Sequence, residues 1–373
     1  MHEDCCGGHG VPRRQVLQAG LAAAAVGTLG AATAAKPAAA ATGTAGAGAI
    51  DIHAHYFPQA YLELFNSEAG RRAEAHFAMT DKGFTYKTPV AGNPLLPMKF
   101  IDLNLRLADM DAQGVRVHAL SLTAPMVYWG DAELNHQLAM AWNDAAIAAH
   151  KAHPDRFVVL VTLPMLEPDR AVDELTRVGK QEGVRGVYLG TNIEDRDLDD
   201  PMFQPVFAKI EALSLPVFLH PVKTIASPRL RPFYLGNLIG NPLDTAVCAA
   251  HLIFGGVMDR YPNLEVNLPH AGGVLPILVG RWDHGRLVRA ELKHMTKPPS
   301  EYLKRFTYDT VAHSKPIMDY VISQVGADRI MVGSDYCFDM GYTQPVSFVD
   351  GLGWDDTTRA QVLHGNAARI LKL

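Results

Sequence analysis

The sequence predicts an α/β fold, a (β/α)8 TIM barrel, from residue 49 onward. Eight short apolar runs rich in β-branched residues alternate with eight amphipathic helical patterns. Runs that are apolar along their whole length are typical of parallel strands covered by helices on both faces. A doubly wound sheet would instead have a glycine-rich phosphate loop after its first strand, where this sequence has His53-Ala54-His55. Eight such units without that loop favour the closed barrel.

The composition limits the class of protein. The chain has 373 residues, of which 48% are hydrophobic and 20% charged, as expected of a globular protein with a sizeable core. Its net charge of −5 argues against a nucleic-acid partner, which needs clustered basic charge. Four cysteines in so long a chain exclude a disulfide scaffold, whereas sixteen histidines point to metal or acid–base chemistry.

The first residues have the composition of a targeting segment. Residues 1–35 are predicted to be a twin-arginine signal peptide, because Arg13-Arg14 precedes an apolar stretch and Ala32-Thr33-Ala34 offers a cleavage site. The alternative is a short buried helix. Residues 36–48 are predicted to be a flexible linker. We therefore expect export to the periplasm or the extracellular space, and no membrane span in the mature chain.

The remaining chain, residues 49–373, is predicted to be one catalytic domain. The predicted strands are Ala49–His55, Val115–Thr123, Phe157–Pro164, Val184–Gly190, Leu215–His220, Leu264–His270, Phe306–Val311 and Arg329–Asp335. The predicted helices are Phe100–Gln113, Asp131–Ala152, Pro168–Glu182, Pro201–Ala212, Pro242–Arg260, Val274–His294, Ser314–Val325 and Asp355–Leu371. Three of these helices have a proline in the first turn, where its missing N–H is tolerated.

One connection is longer than a normal loop between a strand and a helix. Residues 56–99 are rich in proline, glycine and aromatic side chains. We expect a lid insertion over the mouth of the barrel, with a small hairpin around Gly83–Thr88.

Several predicted strands end in residues that bind metals. The first strand ends with His53 and His55, which lie on one face because they are two residues apart. His220, His270 and Asp335 end three other strands. Because active sites of such barrels lie at the carboxyl ends of the strands, we expect these side chains to meet. Three or four imidazoles and one carboxylate suit one Zn²⁺, with Fe²⁺, Co²⁺ or Mn²⁺ as less favoured alternatives.

A histidine at a strand end has a simpler explanation, since it often only caps a backbone carbonyl. Four separate strand ends that all finish on ligand types favour the metal site instead. His118 lies in the middle of a predicted strand, so packing is the default interpretation for it. His313, just past the seventh strand, is a further candidate for the pocket.

Longer stretches of the sequence carry a family resemblance. They are Asp51-Ile-His-Ala-His55, Arg106-Leu-Ala-Asp-Met-Asp-Ala-Gln-Gly-Val115, Asp195-Arg-Asp-Leu-Asp-Asp200, His220-Pro221, His270-Ala-Gly-Gly273, Leu278-Val-Gly-Arg-Trp-Asp283, Pro298-Pro-Ser-Glu-Tyr302 and Gly333-Ser-Asp-Tyr-Cys-Phe338. Together they resemble the metal-dependent amidohydrolase superfamily, and within it the family of amino-carboxymuconate-semialdehyde decarboxylase. The resemblance runs from about residue 49 to residue 370.

The resemblance implies roles for the strand-end residues. The positions of His53, His55, His220 and Asp335 hold one Zn²⁺ in that family. His270 matches the acid–base residue that acts on the metal-bound water, and Asp335 is placed to hold the same water.

The resemblance also implies how a substrate is bound. Arg106 and Arg281 match residues that bind the substrate carboxylate, the second from the neighbouring subunit of a homodimer, and Phe338 matches an aromatic residue of the pocket. A guanidinium suits this task because it binds a planar carboxylate through two parallel hydrogen bonds. The alternatives are a solvated helix residue for Arg106 and an intrachain ion pair, for example with Asp283, for Arg281.

Differences from relatives bear on the number of metal ions and on the substrate pocket. Gly190-Thr191-Asn192 follows the fourth strand, so the bridging lysine of two-metal amidohydrolases is missing and a mononuclear site is expected. The Glu-x-His variant of several aromatic-acid decarboxylases is also absent from strand one. Cys337, beside Asp335, stands where relatives usually have proline, and Lys223 occupies the variable loop after His220.

The sequence thus predicts a metal-dependent carboxy-lyase that acts on a small unsaturated or aromatic carboxylic acid. The alternative is a hydrolase of lactones, amides or esters on the same scaffold, and convergence of Arg106 and Arg281 on one pocket would discriminate between them. A metal-binding protein without activity is a third interpretation, which an occluded pocket would favour.

Overall fold

The computed structural model describes residues 48–225 and 228–373. Its strands are β1 (Ala49–His55), β2 (His76–Thr80), β3 (Gly83–Lys87), β4 (Gly92–Leu96), β5 (Val115–Ser121), β6 (Phe157–Val161), β7 (Val184–Gly190), β8 (Asn192–Ile193), β9 (Arg196–Asp197), β10 (Val217–His220), β11 (Val266–Leu268), β12 (Phe306–Asp309) and β13 (Ile330–Met331). The strands β1, β5, β6, β7, β10, β11, β12 and β13 pair in that order in a parallel sheet, which confirms the predicted barrel.

The barrel closes between its first and last strands through hydrogen bonds beyond the end of β13. The N–H of Ile52 donates to the carbonyl of Val332 at 2.9 Å, and the N–H of His55 donates to that of Tyr336 at 2.7 Å. The regular strand β13 (Ile330–Met331) is therefore shorter than the predicted eighth strand, Arg329–Asp335. The last residues of the predicted strand leave the ladder because the N–H of Ser334 donates to the side chain of Asp51.

Helices cover the outside of the sheet. They are α1 (Gln59–Glu63), α2 (Glu68–Arg72), α3 (Leu103–Gln113), α4 (Ala132–Ala152), α5 (Pro168–Val178), α6 (Gln204–Ala212), α7 (Asn241–Phe254), α8 (Val257–Arg260), α9 (Leu275–Val288), α10 (Lys315–Val325), α11 (Pro345–Gly351), α12 (Asp356–Ala360) and α13 (Asn366–Leu371). The predicted helix Pro242–Arg260 is divided into α7 and α8, because Gly256 takes a φ of +75°. None of the helices in the described ranges is long and apolar enough to span a membrane.

The core lies within the sheet and between the sheet and its helices. Nearly every residue of the eight barrel strands is buried. Trp142 of α4 is fully buried, and its indole N–H donates to the carbonyl of Tyr56 at 2.9 Å. This bond fixes α4 to the chain immediately after β1.

Residues 56–99 form an insertion with its own secondary structure. It contains α1, α2 and an antiparallel sheet in the order β2-β3-β4, so the predicted hairpin around Gly83–Thr88 is the central strand of three. The rings of Phe57 and Phe84 lie 6.0 Å apart, and Phe57 lies 5.5 Å from Phe100. These buried aromatic contacts form a core within the insertion and join it to the chain just before α3. Its action as a lid stays a prediction.

The predicted signal peptide (residues 1–35) and most of the predicted linker (residues 36–48) lie outside the described residues.

Gly183 offers a test of the packing beneath β7. Its φ is +84°, and a Cβ there would lie 2.2 Å from Cγ of His150. The imidazole of His150 is buried and hydrogen-bonded to the carbonyl of Phe157 at 2.7 Å, so it cannot easily move away. We expect Gly183→Ala to lower the free energy of unfolding by about 3 kcal/mol, measured by denaturant titration, because it adds backbone strain and overpacking.

Gly351 is the matched control. It ends α11, has no positive φ, and nothing lies within 4 Å of the position of its Cβ. Gly351→Ala should leave the free energy of unfolding unchanged or slightly higher. Equal stabilities of the two variants would contradict the proposed strain at Gly183.

Candidate metal centre

The carboxyl ends of two strands and the segment after β13 bring four donor side chains together. His53 and His55 come from β1, His220 from β10 and Asp335 from the segment that follows β13. One donor atom from each lies within 4.8 Å of all the others, and all four residues are buried. The Nε2 atoms of His53 and His55 are 3.1 Å apart, and Oδ1 of Asp335 is 3.1 Å from Nε2 of His55.

The opposite edges of the imidazoles show that this group fits a metal ion. Nδ1 of His53 lies 2.8 Å from Oδ2 of Asp309, and Nδ1 of His220 lies 2.8 Å from the carbonyl of Pro221. These oxygens can only accept, so Nδ1 carries the proton in both residues. Nδ1 of His55 faces the hydroxyl of Ser121 at 3.3 Å. Each Nε2 is therefore available as a ligand, in the pattern by which metal-binding histidines are usually oriented.

The charges of the group favour a cation. Burial alone would lower the pKa of His53, but the carboxylates of Asp335 and Asp309 outweigh it and raise that pKa to about 9. Burial lowers the pKa of His55 to about 4. Burial would raise the pKa of Asp335, yet His53 and His55 hold it below its usual range. Without a metal, His53 is thus the member of the group that holds an exchangeable proton.

Asp309, at the end of β12, connects the ligand His53 to the backbone that carries His270. While Oδ2 contacts His53, Oδ1 accepts the N–H groups of Ala271 at 2.9 Å and of Val311 at 3.0 Å. Its hydrogen bond to His53 helps to keep its pKa low, although burial would raise it. Asp309 therefore fixes both a ligand and the backbone beside His270.

His270 lies next to the four ligands but is not one of them in this geometry. Its ring centroid is 5.5 Å from that of His53 and 5.6 Å from that of His220. Its Nδ1 is buried and has no hydrogen-bond partner. Burial, reinforced by the positive charge of His53, lowers the pKa of His270. The position suits a group that exchanges protons with a molecule bound beside the ligands.

Two cavities adjoin the site and share Asp335 in their walls. The larger, of about 260 Å³, is also lined by His270, His313, Val311 and Leu238. The smaller, of about 200 Å³, is lined by His220, Phe338, Tyr234 and by Tyr86 of the insertion. Asn237 and Asn241 border both cavities. The site is therefore accessible on both sides of Asp335.

The three predicted substrate-binding residues differ in position. Phe338 lines the smaller cavity, and its ring centroid is 5.5 Å from that of His55. Arg281 lies exposed on α9, away from the cavity walls of its own chain. Arg106 is fully buried, and its Nη2 donates to the carbonyl of His55. Neither arginine lines either of these two cavities, so the predicted convergence of Arg106 and Arg281 is not found at them within one chain.

The remaining candidates are also placed. His313 lines the larger cavity, as considered from the sequence. Burial raises the pKa of the free thiol of Cys337 to about 12, so it is a thiol at neutral pH. Nζ of Lys223 lies 2.5 Å from a carboxylate oxygen of Asp195 and is engaged outside the cavity walls.

Sequence reasoning missed the residues that support the ligands. Asp51 accepts the N–H groups of His53 and Ser334 and the hydroxyl of Ser334, and burial raises its pKa to about 6. Tyr188 packs beneath the site, with its ring 6.1 Å from that of His55 and 6.2 Å from that of His220. No signal along the chain marked Asp309, because the predicted strand Phe306–Val311 continues two residues beyond it.

Comparisons with known proteins agree with this architecture. The sequence profile of the family described as amidohydrolase matches residues 50–373. The chain is 31% identical to 2-amino-3-carboxymuconate-6-semialdehyde decarboxylase of Dictyostelium discoideum over 277 residues, 73% of this chain and 77% of that protein.

Solved structures are similar as well. The structure of 5-carboxyvanillate decarboxylase from Sphingomonas paucimobilis superposes with a TM-score of 0.75 at 28% identity, covering 88% of this chain and 100% of that one. A dihydroxybenzoic acid decarboxylase from Polaromonas, with bound manganese, superposes with a TM-score of 0.71 at 22% identity, covering 88% of this chain and 97% of that one.

The protonation of the site predicts how metal binding depends on pH. At pH 6 the metal-free site holds one exchangeable proton, on His53, because the pKa of His53 is about 9 and that of His55 about 4. Binding of Zn²⁺ must displace that proton. We expect release of about one proton per metal ion, and an affinity that falls about tenfold per pH unit as the pH decreases from 9.

Calorimetric titration of metal-free protein in two buffers of different ionisation enthalpy measures the released protons. The matched control is His313→Gln, which changes a cavity residue outside the ligand group and should release the same number. An affinity independent of pH below 9 would contradict the assignment.

Proposed function

Because the chain belongs to the amidohydrolase family, we propose that it is a metal-dependent decarboxylase of a small aromatic or unsaturated carboxylic acid. One observation carries this proposal. Two of the four clustered ligand side chains, Asp335 and His220, line the two adjoining cavities, and His270, whose buried Nδ1 has no hydrogen-bond partner, lines the larger one of about 260 Å³. That volume suits a substituted single ring or a short unsaturated acid, and the relatives that the chain matches are decarboxylases.

The chain's own groups would carry out the proton transfer. In decarboxylation the carbon that bears the carboxylate gains a proton, and its bond to the carboxylate breaks to release carbon dioxide. A divalent ion at the ligand group would supply Lewis-acid polarisation of a substrate oxygen. His270, neutral at first because burial lowers its pKa, would take a proton from solvent water in the cavity and deliver it to that carbon. Asp335, which borders both cavities, would help to hold that substrate oxygen in place.

For the metal we propose Zn²⁺. Three imidazole nitrogens and one carboxylate oxygen form a ligand set that Zn²⁺ accepts readily. Mn²⁺ is the alternative, since it accepts imidazole and carboxylate ligands at a more open site. Elemental analysis of protein purified without added metal distinguishes the two.

We further propose that the enzyme is a homodimer. Arg281 is exposed on α9 and lines neither cavity of its own chain. A guanidinium presented to a neighbouring copy could bind the substrate carboxylate there. The cavity walls of one chain include no arginine or lysine among the described lining residues, which is consistent with a cation from outside the chain.

We also propose export by the twin-arginine pathway to the periplasm or beyond. The support is the Arg13-Arg14 pair, with the apolar stretch and the cleavage site that follow it. That pathway carries folded proteins, which suits an enzyme that binds its metal before export.

A hydrolase of lactones or esters is the second candidate. The described walls of the two cavities include no arginine or lysine, and a neutral substrate needs none.

Incubation of the metal-loaded enzyme with a panel of aromatic acids, unsaturated acids and lactones tests the proposal. We expect release of carbon dioxide from at least one acid, detected with a coupled assay, and no release from metal-free enzyme. Release of protons from lactones, without carbon dioxide from any acid, would favour the hydrolase.

Replacement of His270 tests the proton donor. We expect His270→Ala to lower kcat by about 100-fold or more, because general acid–base groups contribute that much, while the bound metal stays stoichiometric. Metal content by elemental analysis and steady-state kinetics measure the two effects. His220→Ala, which removes a ligand, is the control and should lose metal. Loss of metal from His270→Ala would refute its assignment as an acid–base residue.

A further inference from the structure

Arg106 is a buried cation with an unusual set of partners. Its side chain is fully buried on α3, yet the three hydrogen-bond acceptors that it contacts are neutral. They are the carbonyl of His55, the carbonyl of Lys99 at 3.5 Å and Nδ1 of His118 at 3.3 Å. A buried guanidinium without a directly bonded carboxylate is costly, so its retention calls for a compensating role.

The faces of the guanidinium contact the residues that follow two metal ligands. Its central carbon lies 4.6 Å from the ring centroid of Tyr336, which follows Asp335, and 5.7 Å from that of Tyr56, which follows His55. Such cation–π contacts are favourable when the cation is desolvated. Arg106 is thus held between the ends of the two segments that supply three of the four ligands.

Those two segments are also bonded to each other at this point. The N–H of Tyr336 donates to the carbonyl of His53 at 3.2 Å, and the N–H of His55 donates to the carbonyl of Tyr336 at 2.7 Å. By bonding the carbonyl of His55 and packing on Tyr336, Arg106 restrains both sides of this junction. A shift of the junction would move His55 and Asp335 relative to each other.

We propose that Arg106 is a positioning residue of the metal centre, which sets the distance between the ligands His55 and Asp335, rather than a ligand of the substrate carboxylate. This inference rests on the metal site of the proposed function. It requires the planar guanidinium and not only its charge, since a single group must donate in its plane and stack through its face.

Arg106→Lys is the variant that separates positioning of the metal ligands from binding of the substrate carboxylate. Lysine keeps the charge but lacks the planar guanidinium. We expect the dissociation constant for Zn²⁺, measured by competition with a chromophoric chelator, to rise about tenfold or more. The visible spectrum of the Co²⁺-loaded protein should change as well, and KM measured at saturating metal should stay within about twofold of wild type.

Tyr336→Leu provides an independent variant of the same junction. It removes the ring beneath the guanidinium and should weaken Zn²⁺ binding in the same direction, whereas Tyr336→Phe keeps the ring and should bind Zn²⁺ as the wild type does. If Arg106→Lys does not fold, these two variants still decide the outcome. Equal Zn²⁺ affinities of Tyr336→Leu and Tyr336→Phe would then overturn the proposal.

Arg156 supplies the matched control. It also donates to a strand carbonyl, that of Arg116 at 2.9 Å, but immediately before β6, at the amino ends of the strands. Arg156→Lys should leave the Zn²⁺ affinity and the Co²⁺ spectrum unchanged.

Metal binding and substrate binding give separable outcomes. Unchanged Zn²⁺ affinity and Co²⁺ spectrum in Arg106→Lys, with a raised KM for carboxylated substrates, would overturn the positioning role and restore the substrate contact. Failure of the wild-type protein itself to bind Zn²⁺, Mn²⁺ or Co²⁺ would instead refute the proposed function.

Discussion

The site depends on one buried carboxylate that is not itself among the four candidate ligands. Asp309 receives the imidazole of His53 on one oxygen and two backbone N–H groups, of Ala271 and Val311, on the other. Because it has no exposure to solvent, its charge must be balanced by these donors. The same group thereby orients a ligand and fixes the backbone on which His270 stands. Asp309 therefore links the position of the candidate ligand His53 to that of His270.

The fold could be predicted from the sequence because its signals are local. Each barrel strand is a short, mostly apolar run that alternates with a longer helical pattern, as expected of parallel strands covered on both faces. The clustering of the four candidate ligands could be predicted for a similar reason, since each is a ligand-type residue at or near the end of such a run. The boundaries were less accurate where side chains replace the ladder, as after β13, where Asp51 takes the N–H of Ser334.

The supporting residues could not be predicted, because their function appears only when distant segments meet. Asp309 is one of 39 acidic residues, and its sequence neighbours do not show that His53 and Ala271 will face it. Arg106 lies on a helix whose pattern gave no sign that the guanidinium would be enclosed by Tyr56 and Tyr336. Long side chains of this kind choose partners by three-dimensional proximity, on which spacing along the chain carries no information.

The backbone from His270 to Gly273 has a consequence for redesign. All four residues have positive φ, and a Cβ at Gly273 would lie 2.1 Å from the carbonyl of Pro242. A side chain at Gly273 would therefore collide with Pro242, so the turn that carries His270 tolerates no substitution at that position. Tyr86 of the insertion and Asn237 of the chain after β10 belong to other parts of the cavity walls, and neither has a positive φ. Directed evolution of substrate preference should therefore concentrate its library on those walls and leave the glycine-rich turn intact.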